Sequence, residues 1–133
     1  MTHEVAVAIG DEADLMEARR LGRELASHLG FSKTDMTLIA TAISEIARNI
    51  VLYAAHGEVR FQAVEDQGRN GLRVTASDYG PGITDVARAM QDGYSSHEGL
   101  GIGLPGARRL MDEFEIKSEV GVGTTVVMTK WVR

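Results

Sequence analysis

Glu45 and Asn49 stand four residues apart in ISEIARN, so on a helix they share one face. A carboxylate and a carboxamide in that arrangement suit a proton acceptor and a hard cation. Magnesium takes oxygen ligands and keeps waters and phosphate oxygens around it, so Asn49 alone suffices as its protein ligand. Glu45 is then free to act as a general base. Taken alone, the pair also reads as a solvated polar helix face. Arg48, next to Asn49, either helps with phosphate charge or covers helix surface.

Two glycine-rich stretches follow. In DYGPGI (78–83), Asp78 ends a strand, and its carboxylate can accept from an exocyclic amine such as that of adenine, with Gly80 and Gly82 letting a flat ring approach. Asp, Gly and Pro are also ordinary turn residues. GLGIGLPG (99–106) runs into a helix opened by Pro105. Free amides and the helix dipole at such a start favour anions, which points to phosphate. The stretch lacks the Gly-Lys-Ser/Thr ending of a P-loop. Between the two lies polar QDGYSSHE (91–98), which reads as a lid; its His97 has no second metal ligand in view, and Ser95 and Ser96 read as loop residues. In GVGTT (121–125), Thr125 is placed to back up Asp78, or simply to start a tight hairpin.

The elements that must position these residues alternate. EVAVAI (4–9) has period two, with Val5, Val7 and Ile9 on one face. Leu15, Ala18, Gly22, Leu25 and Leu29 recur at helical spacing from Asp11 to Leu29, and Gly30 closes that helix. Ser32 with Asp35 caps a second helix running to about Ala54, with Met36, Ile39, Ala40, Ile43, Ala47 and Ile50 as its core stripe. Strands at 58–64 and 72–77 flank the polar turn EDQGRN. Thr84 caps a short helix through Met90, and a further helix runs from Pro105 to near Glu113. FEIKS and TTVVMTKWV are strands joined by EVGVG. Met90, Met111 and Trp131 read as packing residues. The order predicts an α/β two-layer sandwich, a mixed sheet covered by helices on one face.

The chain has 133 residues, which fits one domain over 1–133. Its net charge of -5 argues against a nucleic-acid partner, but permits an anion held by backbone amides. With no cysteine there is no disulfide framework, thiol nucleophile or cysteine metal site, and a reducing cytoplasm fits. The N-terminus has neither a basic start nor a long apolar run, and no stretch is expected to reach membrane-span length.

The order of the motifs says more than any one of them. Glu-x-x-x-Asn on a helix, then Asp-x-Gly-x-Gly, Gly-x-Gly-x-Gly before a helix, and Gly-Thr-Thr resembles the Bergerat-fold, or GHKL, ATPase superfamily over essentially the whole chain. The resemblance implies an ATP site with Mg2+. Glu45 is its catalytic residue and Asn49 its metal ligand, also contacting the cofactor. Asp78, Gly80, Gly82 and Ile83 form the first glycine box; Gly99, Leu100, Gly101, Ile102, Gly103 and Leu104 form the second; Thr125 falls in the last. ISEIARNIVLYA, AMQDGYSS and GLGIGLPGARRLMDEFEI further resemble the switch serine/threonine kinases of bacterial stressosomes. Related anti-sigma factor kinases usually carry Glu-Ala where this chain has EIARN, and often His-Ala-Tyr where it has VLYAAHG. The switch-kinase resemblance implies phosphorylation of STAS-domain scaffold proteins, then release to activate an output protein, commonly a PP2C-type phosphatase. The other readings are an anti-sigma factor kinase that sequesters a sigma factor, and a nucleotide-gated interaction module without transferase activity.

Overall fold

The computed structural model describes residues 4–82, 90 and 103–133. Strand β1 (Glu4–Ile9) leads into α1 (Glu12–Leu29) and α2 (Lys33–Tyr53). The hairpin β2 (Gly57–Asp66) and β3 (Arg69–Asp78) follows, then α3 (Gly103–Leu110) and the hairpin β4 (Glu113–Glu119) and β5 (Gly123–Trp131). The helix expected at 84–90 lies outside the described residues, apart from Met90, which is buried in the core.

Local signals set the helix ends. Asp11 caps α1, its side chain accepting the Asp14 amide at 2.9 Å, and Gly30 ends it in the left-handed region at φ 97. Ser32 caps α2 in the same way, accepting the Asp35 amide at 3.1 Å. The β2–β3 strands run further than the polar turn suggests. Only Gln67 and Gly68 form the loop, both at positive φ (53 and 78), a twist that matches two-residue hairpins. Helix α3 begins at Gly103, two residues ahead of Pro105, and ends at Leu110.

The sheet order is β1-β2-β3-β5-β4, and all four described pairings are antiparallel. This corrects the mixed sheet expected from the sequence. The two helices expected between β1 and β2 are present, and the chain returns to pair β2 antiparallel with β1. β5 sits between β3 and β4, which run in the same direction, so those two never pair.

Helices cover the face that carries Val59, Phe61, Leu72, Val74, Ala76, Val126 and Met128, all in one core cluster with Ile39, Ile43, Ile46 and Ile50 of α2. The predicted α2 stripe is buried there except Met36, which is partly buried, and Ala42, Ser44 and Ile46 widen it. On β1, Ile9 is buried and Val5 is exposed, because β1 is an edge strand. The 21-residue α2 is, by length and composition, apolar enough to cross a membrane, contrary to the sequence expectation. Its buried stripe is instead taken up by the core, while Leu52 and Tyr53 near its end are exposed.

Candidate functional site

Asp78 is the last residue of β3 and lies on the same side of the strand as Leu72, Val74 and Ala76, the helix-facing side. Its Oδ1 accepts two backbone amides, Gly80 at 2.9 Å and Thr124 at 3.2 Å. One carboxylate oxygen is thereby fixed between two segments. Those two bonds leave Oδ2 for another donor.

The glycines after Asp78 have neighbours of their own. A Cβ on Gly80 would come within 2.6 Å of Ala54 Cβ at the end of α2. Gly82 has φ +80, and a Cβ there would come within 2.5 Å of the Glu119 carbonyl oxygen. The Gly121 amide donates to the Pro81 carbonyl at 2.9 Å, so the β4–β5 turn is seated on the loop after β3. The missing side chains at Gly80 and Gly82 thus serve close packing of the chain on itself. That use was not legible in the sequence, where both glycines read as room for a ring.

Thr125 pairs with Ser77, one position away from Asp78, and by strand alternation it faces away from the helices. The residue that reaches Asp78 is Thr124, through its amide. Thr124 is buried and shares a 2.8 Å hydrogen bond with the Ser118 hydroxyl across the β4–β5 hairpin. The doubled threonine of GVGTT was the available signal, and the period-two alternation of β5 decides between the two.

On α2, Glu45 is almost covered, its side chain 9% exposed. Oε2 accepts from Arg48 Nη1 at 2.5 Å, and Oε1 accepts the amide of Gly103, the first residue of α3, at 2.8 Å. Asn49, one turn further on, is half-buried. The structure therefore joins the helix motif directly to the end of the second glycine stretch. Gly103 itself has φ 66, and the Leu104 side chain is buried in the core. Ile83, Gly99, Leu100, Gly101 and Ile102, and the lid read at 91–98, lie outside the described residues. Among the described residues no group of three or more His, Cys, Asp or Glu side chains is gathered to hold a metal. Magnesium bound to phosphates needs few protein ligands, so such a cluster is not required for it.

Comparison with known proteins matches the chain to a family. Residues 10–130 match the model of the histidine kinase-like ATPase domain. The serine/threonine-protein kinase RsbT of Bacillus subtilis is 49% identical over 133 residues, all of this chain and all of that one. The anti-sigma F factor of Caldanaerobacter subterraneus subsp. tengcongensis is 30% identical over 86% of this chain and 83% of its own. Among solved structures, the RsbU and RsbW domains of a Mycobacterium tuberculosis protein superpose with TM-score 0.66 at 20% identity, covering 98% of this chain. The chain spans 32% of that longer protein. The catalytic domain of histidine kinase ThkA gives TM-score 0.52 at 14% identity over 95% of each chain, a likeness of fold alone. The chain belongs to the histidine kinase-like ATPase family and, within it, to the RsbT-like protein kinases.

Proposed function

We propose that the chain transfers the γ-phosphoryl group of ATP to a serine or threonine hydroxyl of a STAS-domain scaffold protein. Once the scaffold is phosphorylated, the kinase is released to activate an output protein, commonly a PP2C-type phosphatase. The observation that carries the reading is the pair of anchored carboxylates, Asp78 at the end of β3 and Glu45 on α2. They sit on elements packed against the same core, and their surroundings differ.

Asp78 is suited to reading the base. With Oδ1 fixed by the Gly80 and Thr124 amides, Oδ2 is oriented to accept from the adenine amine. Asn49 would hold Mg2+, which when bound offsets charge on the phosphates. The second glycine stretch, ending at Gly103, would cover the phosphates. Gly99, Leu100, Gly101 and Ile102 belong to that proposed contact set, Leu104 contributes through its backbone, and Ile83 belongs with Asp78, Gly80 and Gly82 on the base side.

Glu45 takes the proton of the acceptor hydroxyl and becomes a neutral acid. The hydroxyl oxygen forms a bond to the γ-phosphorus, the bond from that phosphorus to the β-phosphate bridging oxygen breaks, and ADP leaves with the electron pair. Such transfer depends mostly on positioning and charge neutralisation. Its location would be the cytoplasm, where ATP is supplied. The higher identity to RsbT than to anti-sigma F factors supports the switch-kinase reading over sigma-factor capture.

A ligand that binds only the folded state stabilises it by about 2.7 kcal/mol at a hundred times its dissociation constant. Thermal melts with Mg-ATP and with Mg-GTP test the site. The expected result is an upward shift with ATP that exceeds the shift with GTP. No shift at millimolar Mg-ATP would overturn the nucleotide site.

A further inference from the structure

Arg48 lies one turn after Glu45 on α2, with its side chain 30% exposed. Its Nη1 donates to Glu45 Oε2 at 2.5 Å while the Gly103 amide donates to Oε1 at 2.8 Å. Both carboxylate oxygens are therefore anchored, one from the same helix and one from α3. An exposed pair at this spacing is held weakly. Here the carboxylate is nearly covered, so less water competes for it. With two anchors, the carboxylate cannot swing or rotate without breaking one of them. Each oxygen keeps a further lone pair, so an acceptor hydroxyl can still be met.

We infer that Arg48 is a positioning residue for phosphoryl transfer, acting through Glu45 by holding its carboxylate against the start of α3. The inference rests on the reading of Glu45 as general base. A base works only within hydrogen-bond reach of the proton it takes, and small displacements are costly in rate. The guanidinium spends Nη1 on the carboxylate. A direct contact with phosphate is the competing role, and the two roles separate kinetically.

The test is steady-state transfer from labelled Mg-ATP to a purified STAS-domain acceptor that the wild type phosphorylates, with ATP binding measured separately. The variants are Arg48→Ala, Arg48→Lys, Glu45→Gln and the double variant Arg48→Ala/Glu45→Gln. Arg48→Ala is expected to lower kcat roughly tenfold or more while KM and Kd for ATP stay within about twofold, the pattern of an interaction used in the transition state. Arg48→Lys should recover part of the loss, because it keeps the charge but not the planar fork. The double variant should be no slower than Glu45→Gln alone, because the two residues act as one unit. If Arg48→Ala does not fold, Arg48→Gln is measured in its place.

Wild-type kcat in Arg48→Ala would overturn the inference. So would a weakened ATP affinity at unchanged kcat, which marks a phosphate contact. Full additivity in the double variant would also overturn it, because it marks a merely structural role. If Glu45→Gln transfers at the wild-type rate, the general-base reading itself fails, and this inference fails with it. Loss in Glu45→Gln without loss in Arg48→Ala defeats the inference alone.

Discussion

Asp78 Oδ1 accepts the amide of Thr124, 46 residues further along the chain, at 3.2 Å. The same oxygen accepts the amide of Gly80 at 2.9 Å. One side chain thus closes the end of β3 onto β5 while presenting its second oxygen.

Asp78→Asn and Asp78→Ala should therefore separate two roles. Asparagine keeps a carbonyl oxygen for the two amides but loses the charge, so its melt should stay near wild type and its Mg-ATP shift should shrink. Alanine leaves both donors without that acceptor, each costing about 1–3 kcal/mol if buried and unpaired. Its melt should fall even without nucleotide. Equal Mg-ATP shifts in Asp78→Asn and wild type would remove Asp78 from the base-reading role.

Gly82 and Gly30 both have positive φ, 80 and 97, but only Gly82 has backbone where a Cβ would go. Gly30→Ala should cost about 1–2 kcal/mol, the conformational term alone. Gly82→Ala adds overpacking against the Glu119 carbonyl, about 1–3 kcal/mol more. Urea unfolding of the two variants measures the difference. Equal losses would mean that the β4–β5 turn yields freely and does not hold the loop after β3.

Much of the scaffold is written locally. Asp11, Gly30 and Ser32 mark helix ends because a cap is a relation among neighbouring residues, and the structure places all three as caps. The candidate site is written less completely. Glu45 and Asn49 share a helix face, which spacing alone shows. That Glu45 bonds the amide of Gly103 depends on how α2 packs on α3, and no local pattern carries it. Thr124 and Thr125 differ by one position, and one step along a strand changes the face. The antiparallel order turns on where β5 inserts, a long-range pairing with no signal in the strands themselves.

Lys130 shows the same limit. It reads as a charged strand residue, yet it is buried at 5% exposure, and its Nζ donates to the carbonyl of Leu110, the last residue of α3, at 2.7 Å. Lysine at a helix C-terminus satisfies an orphan carbonyl and favours the dipole. Lys130→Met keeps the length and removes the donor. It should lower stability by about 1–3 kcal/mol, the cost of an acceptor left unpaired. Hydrogen exchange should quicken along residues 103–110 more than along α2. Unchanged exchange in α3 would show that its end is held by other contacts.

In the proposed reaction, Glu45 takes the proton of the acceptor hydroxyl beside a nucleotide held by Asp78 and Asn49. The direct measurement is transfer of label from γ-labelled Mg-ATP to serine or threonine of a STAS-domain acceptor, comparing wild type with Glu45→Gln while ATP binding is measured on the same samples. A positioned base contributes about a hundred- to ten-thousand-fold, so the account predicts a loss of that size in transfer with ATP binding largely kept. Wild-type transfer by Glu45→Gln, or no transfer by a wild-type protein that has bound ATP, would contradict it.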